Sequence, residues 1–245
     1  MEWWELIVNE EFFEPWHERN EAYNLGLGFA LITVIGLVRY RRLEAGQRRI
    51  LLFAGYSMLM EYISTDQDWK TVFDTGGNTQ LYHILTPGLF MAVLWVFLPV
   101  LSARARRLWW VLSVGFVVFA VLNATWLDSF GRFPTWTATT YGVTGMLLCG
   151  AYLLHLLRTL VVQRLENDPL FLFAAAGLIY YSGSVLFLVA MKHITYELHF
   201  FNRIYSVLRL LLFFFQIVLL IAVVVSPDKG APPDNPPPAS PALPV

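Results

Sequence analysis

Two ionisable side chains, Glu61 and Arg209, interrupt runs that are otherwise apolar. An Arg or Asp at the centre of a bilayer costs about 2.5–3.5 kcal/mol on insertion scales, so such a group needs a partner or a task. Glu61 stands about four residues from one end of its run, and Arg209 about five from the corresponding end of its own. At 1.5 Å per residue both lie roughly 6–8 Å below the same surface. Equal depth and opposite sign make them candidate partners. Asn202, Tyr205, Arg209 and Gln216 recur at offsets that hold them within one arc of a helix, and Ser57, Glu61 and Thr65 repeat the idea at a spacing of four. His83, with Thr86 and Pro87 a turn later, Asn123, and the group Tyr180, Tyr181, Ser182 and Ser184 fall at similar depths. The chemistry open to this set is recognition. Arg209 and Glu61 would orient a small ligand while Tyr180, Tyr205, His83 and Asn123 supply directional hydrogen bonds. The same residues also fit a simpler reading, a polar network that holds helices together. His155, beside Arg158, reads as an interfacial histidine.

Several bond-making chemistries lack their residues. A retinal Schiff base needs a lysine in the last run, and the lysines Lys70, Lys192 and Lys229 all fall outside the runs. An intramembrane zinc hydrolase needs histidines and acids at helical spacing, but His193 and His199 are six apart and no run contains Asp. Haem ligation asks for two histidines at matched depth, whereas His83 and His155 belong to opposite ends. Neither a nucleophile–base pair nor a phosphate-binding glycine loop is present, so no catalytic residue, metal or cofactor is expected. Cys149, the single cysteine, has no disulfide partner within the chain.

These residues must be positioned by membrane-spanning helices. Of 245 residues 57% are hydrophobic and 14% charged, well below the usual quarter for soluble domains. The near-zero net charge argues against nucleic acid as a partner. Apolar runs at about Tyr23–Val38, Ile50–Ser64, Leu81–Leu101, Leu108–Leu127, Thr140–Leu160, Leu170–Met191 and Ile204–Val225 predict an all-α integral membrane bundle of seven helices. The second run is the weakest, being short and carrying Glu61. Six spans with a half-inserted second segment is the alternative, and the arginines favour seven. Arg39, Arg41, Arg42, Arg48, Arg49, Arg104, Arg106, Arg107, Arg158 and Arg164, with Lys229, fall on one side, while Glu2, Glu5, Glu10, Glu11, Glu14, Glu18, Glu21, Asp66, Asp68 and Asp74 gather on the other. Basic loops stay cytoplasmic, which places the N-terminus outside and the C-terminus inside. Trp109 and Trp110 at one boundary, and Trp126 and Trp136 at the other, fit the amphipathic belts.

The ends differ from the bundle at 23–226. Residues 1–22 form an acidic amphipathic segment expected on the outer surface and, lacking a basic start, expected to stay on the mature protein. Residues 227–245 hold eight prolines and should be an extended, disordered cytoplasmic tail. No internal repeat of the transporter kind is visible. Glycines at 142, 145 and 150, with 177 and 183, are expected to allow close packing of the fifth and sixth helices.

At Asn78-Thr-Gln-Leu-Tyr-His-Ile-Leu-Thr86, Asp168-Pro-Leu-Phe171 and Leu178-Ile-Tyr-Tyr-Ser-Gly-Ser184 the chain resembles a family of uncharacterised small bacterial seven-helix membrane proteins common in Bacteroidetes. The resemblance covers most of the membrane part. It implies a bacterial inner-membrane location and, through frequent association with sensor histidine kinases, a sensing role. Members often carry an acid shortly after the Tyr-His pair, where this chain has Gly88-Leu-Phe90. The resulting expectation is a receptor-like sensor with an outward-facing polar pocket for a small ligand, signalling through a partner such as a membrane kinase. A small-solute transporter or channel, and a structural accessory subunit, are the alternatives.

Overall fold

The computed structural model describes residues 21–65, 79–100, 103–128, 133–159, 165–193 and 198–225. The expectation for the acidic segment 1–22, except its last two residues, and that for the tail 227–245 lie outside the described residues. Within them the chain is helical throughout: α1 Glu21–Val38, α2 Ala45–Thr65, α3 Thr79–Phe97, α4 Ala103–Leu122, α5 Thr135–Thr159, α6 Pro169–His193 and α7 Leu198–Val224. Five of them, α3 to α7, are long and apolar enough to cross a membrane, and α1 adds a shorter apolar stretch, Gly26–Val38.

Successive helices run antiparallel, as their contacts record. Gly36 of α1 faces Leu51 of α2, and Gly26 faces Glu61. Tyr56 of α2 reaches Gly88 of α3. Gly145 of α5 sits under the ring of Tyr181 on α6, and Gly177 of α6 under the Cys149 thiol of α5. The packing closes α1, α2, α3, α5, α6 and α7 into a ring, with α2 also touching α6 and α7. The core lies where α2, α6 and α7 meet. There Phe53 packs edge-on to Phe173 at 5.4 Å, and Phe173 packs edge-on to Phe215 at 5.6 Å, the arrangement favoured by the ring quadrupoles.

Helix α4 stands outside this ring and leans on α3. Phe90 and Phe116 stack face to face at 3.8 Å and 4°. Closer to the basic end, Trp109 is buried between Trp95 and Trp110, with centroids at 6.4 and 4.5 Å. Trp110, Trp126 and Trp136 are exposed as a boundary belt requires, but Trp109 is a packing residue. The α4 start faces α3 with one indole and the surroundings with the next.

The weak second run is a helix of 21 residues, Ala45–Thr65, and it is not among the five helices apolar enough to cross a membrane. Its polarity has a packing reason. Gln47 and Ser57 are buried against protein, and lipid-type exposure is confined to Leu52, Leu59 and Tyr62. A helix enclosed by four others needs less apolar surface than one facing lipid. The close approach expected of the fifth and sixth helices is present at Gly142, Gly145 and Gly177, while Gly183 accommodates Leu211 of α7 instead. Gly150 meets nothing within 4 Å; it faces away from α6.

Arg41, Arg42, Arg48, Arg107 and Arg158 are exposed, and all belong to the end of the bundle where α1, α3 and α5 finish. We call this the basic end. Two neighbouring guanidinium groups there lie over aromatic rings, Arg48 over Tyr40 at 4.9 Å and Arg49 over Trp95 at 5.5 Å.

Candidate functional site: the polar level of the α1, α2 and α7 junction

Register fixes the heights of the polar groups. At the basic end the Gln47 side-chain amide of α2 meets Ala222 and Val223 of α7. Glu61 lies fourteen residues along α2 from Gln47, and Arg209 lies fourteen residues back along α7 from Val223. Both displacements are about 21 Å toward the opposite end, and fourteen residues return each helix to nearly the same face. Phe53 against Phe215, at 6.1 Å, keeps the same register between. Counted from these contacts by ideal helical rise, Glu61 and Arg209 fall at similar depth on two helices that touch.

Helix α1 forms the third wall. Its Gly26 lies beside Glu61, where a Cβ would come 3.8 Å from that of the glutamate. Its Gly28 admits the buried Gln216 side chain so closely that any side chain at 28 would overlap it. Gln216 is two turns from Arg209 on the same face of α7, about 10 Å nearer the basic end. A larger residue at 28 would displace the end of the flexible Gln216 side chain.

The other expected site residues divide. His83 reaches the height of Glu61, since Tyr56 with Gly88 and Arg49 with Trp95 fix the α2–α3 register. It lies, however, on the face of α3 turned to α4, where it lines a cavity with Pro87, Val121 and Thr125. Asn123 is fully buried in a π-helical turn, Asn123–Leu127, that ends α4. Its Nδ2 donates to Asp128 Oδ2 at 3.0 Å and to Thr137 Oγ1 at 2.9 Å, and Asp128 Oδ2 also accepts the Trp136 N–H at 3.2 Å. Both amide protons of Asn123 are engaged in locking α4 to the start of α5. Tyr180 stacks flat on Phe215 at 5.2 Å and 2°, between α6 and α7. Tyr205 is on α7, and its side chain lies outside the described residues. The structure thus brings Glu61 and Gln216 against α1, with Arg209 added only by its spacing from Gln216 on α7, and assigns His83, Asn123 and Tyr180 to three other contacts.

Three polar contacts were not legible beforehand. Gln47 is the third residue of α2, where its Oε1 accepts the Glu44 N–H at 3.1 Å in the manner of a capping box. Its Nε2 lies 3.1, 3.2 and 2.6 Å from the carbonyls of Ala222, Val223 and Val225, groups that the end of α7 leaves without intrahelical partners. Asp168 caps α6 by accepting the Leu170 N–H at 2.9 Å, and it accepts the Tyr152 hydroxyl of α5 at 2.7 Å. The Asp-Pro start of α6 carried the signal for that cap. Tyr141 and Tyr181 bring their hydroxyls within 3.2 Å of each other inside the α5–α6 contact, where satisfying one buried hydroxyl with another avoids a desolvation penalty.

Five long apolar helices, alternating in direction about a buried core, define a multi-pass helical membrane protein. No family model matches the sequence, and neither a curated protein nor a solved structure matches it.

Proposed function

We propose that this is a seven-span protein of a bacterial inner membrane, N-terminus outside, acting as a receptor-like sensor of a small polar ligand. The observation that carries the reading is the contact of Glu61 with Gly26 and of Gln216 with Gly28 on α1, and helical rise counted from the Gln47–Val223 contact puts Arg209 at a depth similar to that of Glu61. A cation and a carboxylate so placed in an apolar bundle recognise a polar solute far more strongly than they would in water. Occupancy would act on α1. That helix has little side-chain bulk where it meets Glu61 and Gln216, so a change in either neighbour alters its seat directly. The basic end, where α1 passes into α2, would transmit the change to a partner such as a membrane kinase, through differential ligand affinity for the two packings. The bacterial seven-helix resemblance supports the same role.

The test is thermal unfolding of the purified full chain in detergent with a panel of amino acids, organic acids and polyamines. A stabilising compound whose effect disappears in Glu61→Gln and Arg209→Gln, with no uptake of that compound into proteoliposomes, is the expected result. Uptake would replace the sensor by a transporter. Stabilisation that survives both substitutions would remove the site.

A further inference from the structure

Helices α3 and α4 touch along one line and then part. Phe90 and Phe116 form the waist, stacked at 3.8 Å. Beyond it, away from the basic end, α3 carries a proline and α4 changes to a π turn. Pro87 sits inside α3, where it removes a backbone hydrogen bond, and the π turn Asn123–Leu127 carries the end of α4 toward α5 through the Asn123–Thr137 contact. The helices separate because α4 is drawn to α5 while α3 stays on α2, held by the Tyr56 hydroxyl, which donates to Leu85 O at 2.8 Å. Between them lies a groove of about 490 Å³, within the range of small-molecule sites.

The lining has a gradient. Ala120 and Pro87 belong to its part nearer the midplane, and His83 and Thr125 to its end nearest the helix termini. From Val117 to Thr125 the groove follows α4 for about 12 Å. Its rim residues Ile84, Val117 and Val121 are exposed, on two helices that are each long and apolar enough to cross a membrane. The groove therefore opens sideways into the hydrocarbon layer, and water, which needs several polar partners, is a poor occupant of its apolar part. Small side chains at Ala120 and Ala124 leave the floor low. His83, by contrast, is buried although it lines the opening.

We propose that this groove is a binding site for one bilayer phospholipid, entering sideways with an acyl chain between α3 and α4 and its ester and head-group oxygens at His83 and Thr125. An amphiphile in its normal bilayer orientation is polar at the interface and apolar toward the midplane, and the groove has the same polarity in the same direction. The Phe90–Phe116 stack is the stop for the chain end. His83 contributes imidazole hydrogen bonding to the head-group region, and the Thr125 hydroxyl, which donates to Val121 O at 3.1 Å, offers its lone pairs at the rim. The site does not depend on the Glu61 and Arg209 reading, because it lies on the other face of α3.

Native mass spectrometry of the full chain, reconstituted with dioleoyl-phosphatidylglycerol and released into mild detergent, reads the retained lipid. Ala124→Phe fills the groove and is expected to lower occupancy by one bound lipid about tenfold, while His83→Leu lowers it less and unequally between the diacyl lipid and its alcohol-headed diacylglycerol. Val114→Phe, on the exposed side of α4, keeps the occupancy of the parent, and all three variants are compared at equal thermal stability. Equal lipid retention in Ala124→Phe and Val114→Phe would overturn the proposal. So would a dimer of the parent chain that Ala124→Phe dissociates, since the groove would then hold a second copy.

Discussion

Gln47 carries a large share of one junction with one side chain. It starts α2, closes its own cap and covers the carbonyls that end α7. Replacing it with leucine keeps the volume and leaves those carbonyls without their donor, a loss of about 1–3 kcal/mol for a buried group. Gln47→Leu should unfold at clearly lower temperature than the parent, with Gln47→Glu no better, because a carboxylate cannot donate to carbonyls; an unchanged melting temperature for Gln47→Leu would refute the clamp. Glu61 and Arg209 call for a cycle. If they form an ion pair across the α2–α7 contact, Glu61→Gln and Arg209→Gln should each destabilise more than the double substitution, since the lone buried charge is the expensive species. Additive losses would separate them. At this scale the sequence was informative about Glu61 and Arg209, because a charge stands out in an apolar run. It was silent about Gln47, whose partners are backbone carbonyls some 175 positions away.

Helices were legible according to what they face. Where a run carries no charge, as in α6, the helix bounds follow the hydropathy closely, Pro169–His193 against the expected Leu170–Met191. Helix α2 is enclosed, so its residues are chosen by neighbouring side chains, and an apolar run of about fifteen residues understates a helix of 21. The glycines show the same limit: spacing could not distinguish Gly145, which admits the Tyr181 ring, from Gly150, which faces open space. Gly145→Leu would place side-chain atoms where the Tyr181 ring lies and is expected to destabilise by about 1–3 kcal/mol or more, whereas Gly150→Leu should be neutral or slightly stabilising through helix propensity. Thermal unfolding of the two variants side by side checks this, and equal losses would mean that the α5–α6 seam is misplaced. Likewise Asp168→Ala removes both the α6 cap and the acceptor of Tyr152, with an expected loss at or above the usual 0.5–2 kcal/mol for a cap, and Tyr152→Phe should recover part of it by removing the stranded hydroxyl.

For the whole molecule, the gathering of exposed arginines at one end extends the charge count from loops to a surface. Under the proposed orientation this end is cytoplasmic. A fluorescent protein fused after Val245 should therefore fluoresce in bacteria, and alkaline phosphatase at the same position should be inactive; active phosphatase there would reverse the orientation. The loose attachment of α4 was not readable from hydropathy, because its composition matches that of its neighbours and only its contacts reveal that it stands outside the ring.

Cys149 sits fully buried over Gly177, at the centre of the α5–α6 seam. Thiol chemistry needs an accessible thiolate, and this sulfur has neither access nor a polar surrounding that would favour the anion. The folded protein should consequently ignore a membrane-permeant maleimide and react once α5 and α6 separate, so the labelling rate follows opening of the seam without any probe being introduced. Rapid modification of the native protein would contradict the packing. The natural sequence thus serves as a background without a reactive thiol: a reporter cysteine placed at the exposed Arg41 or Trp126 would be the sole reactive one, and the sidedness of each end could be mapped without first rebuilding the core.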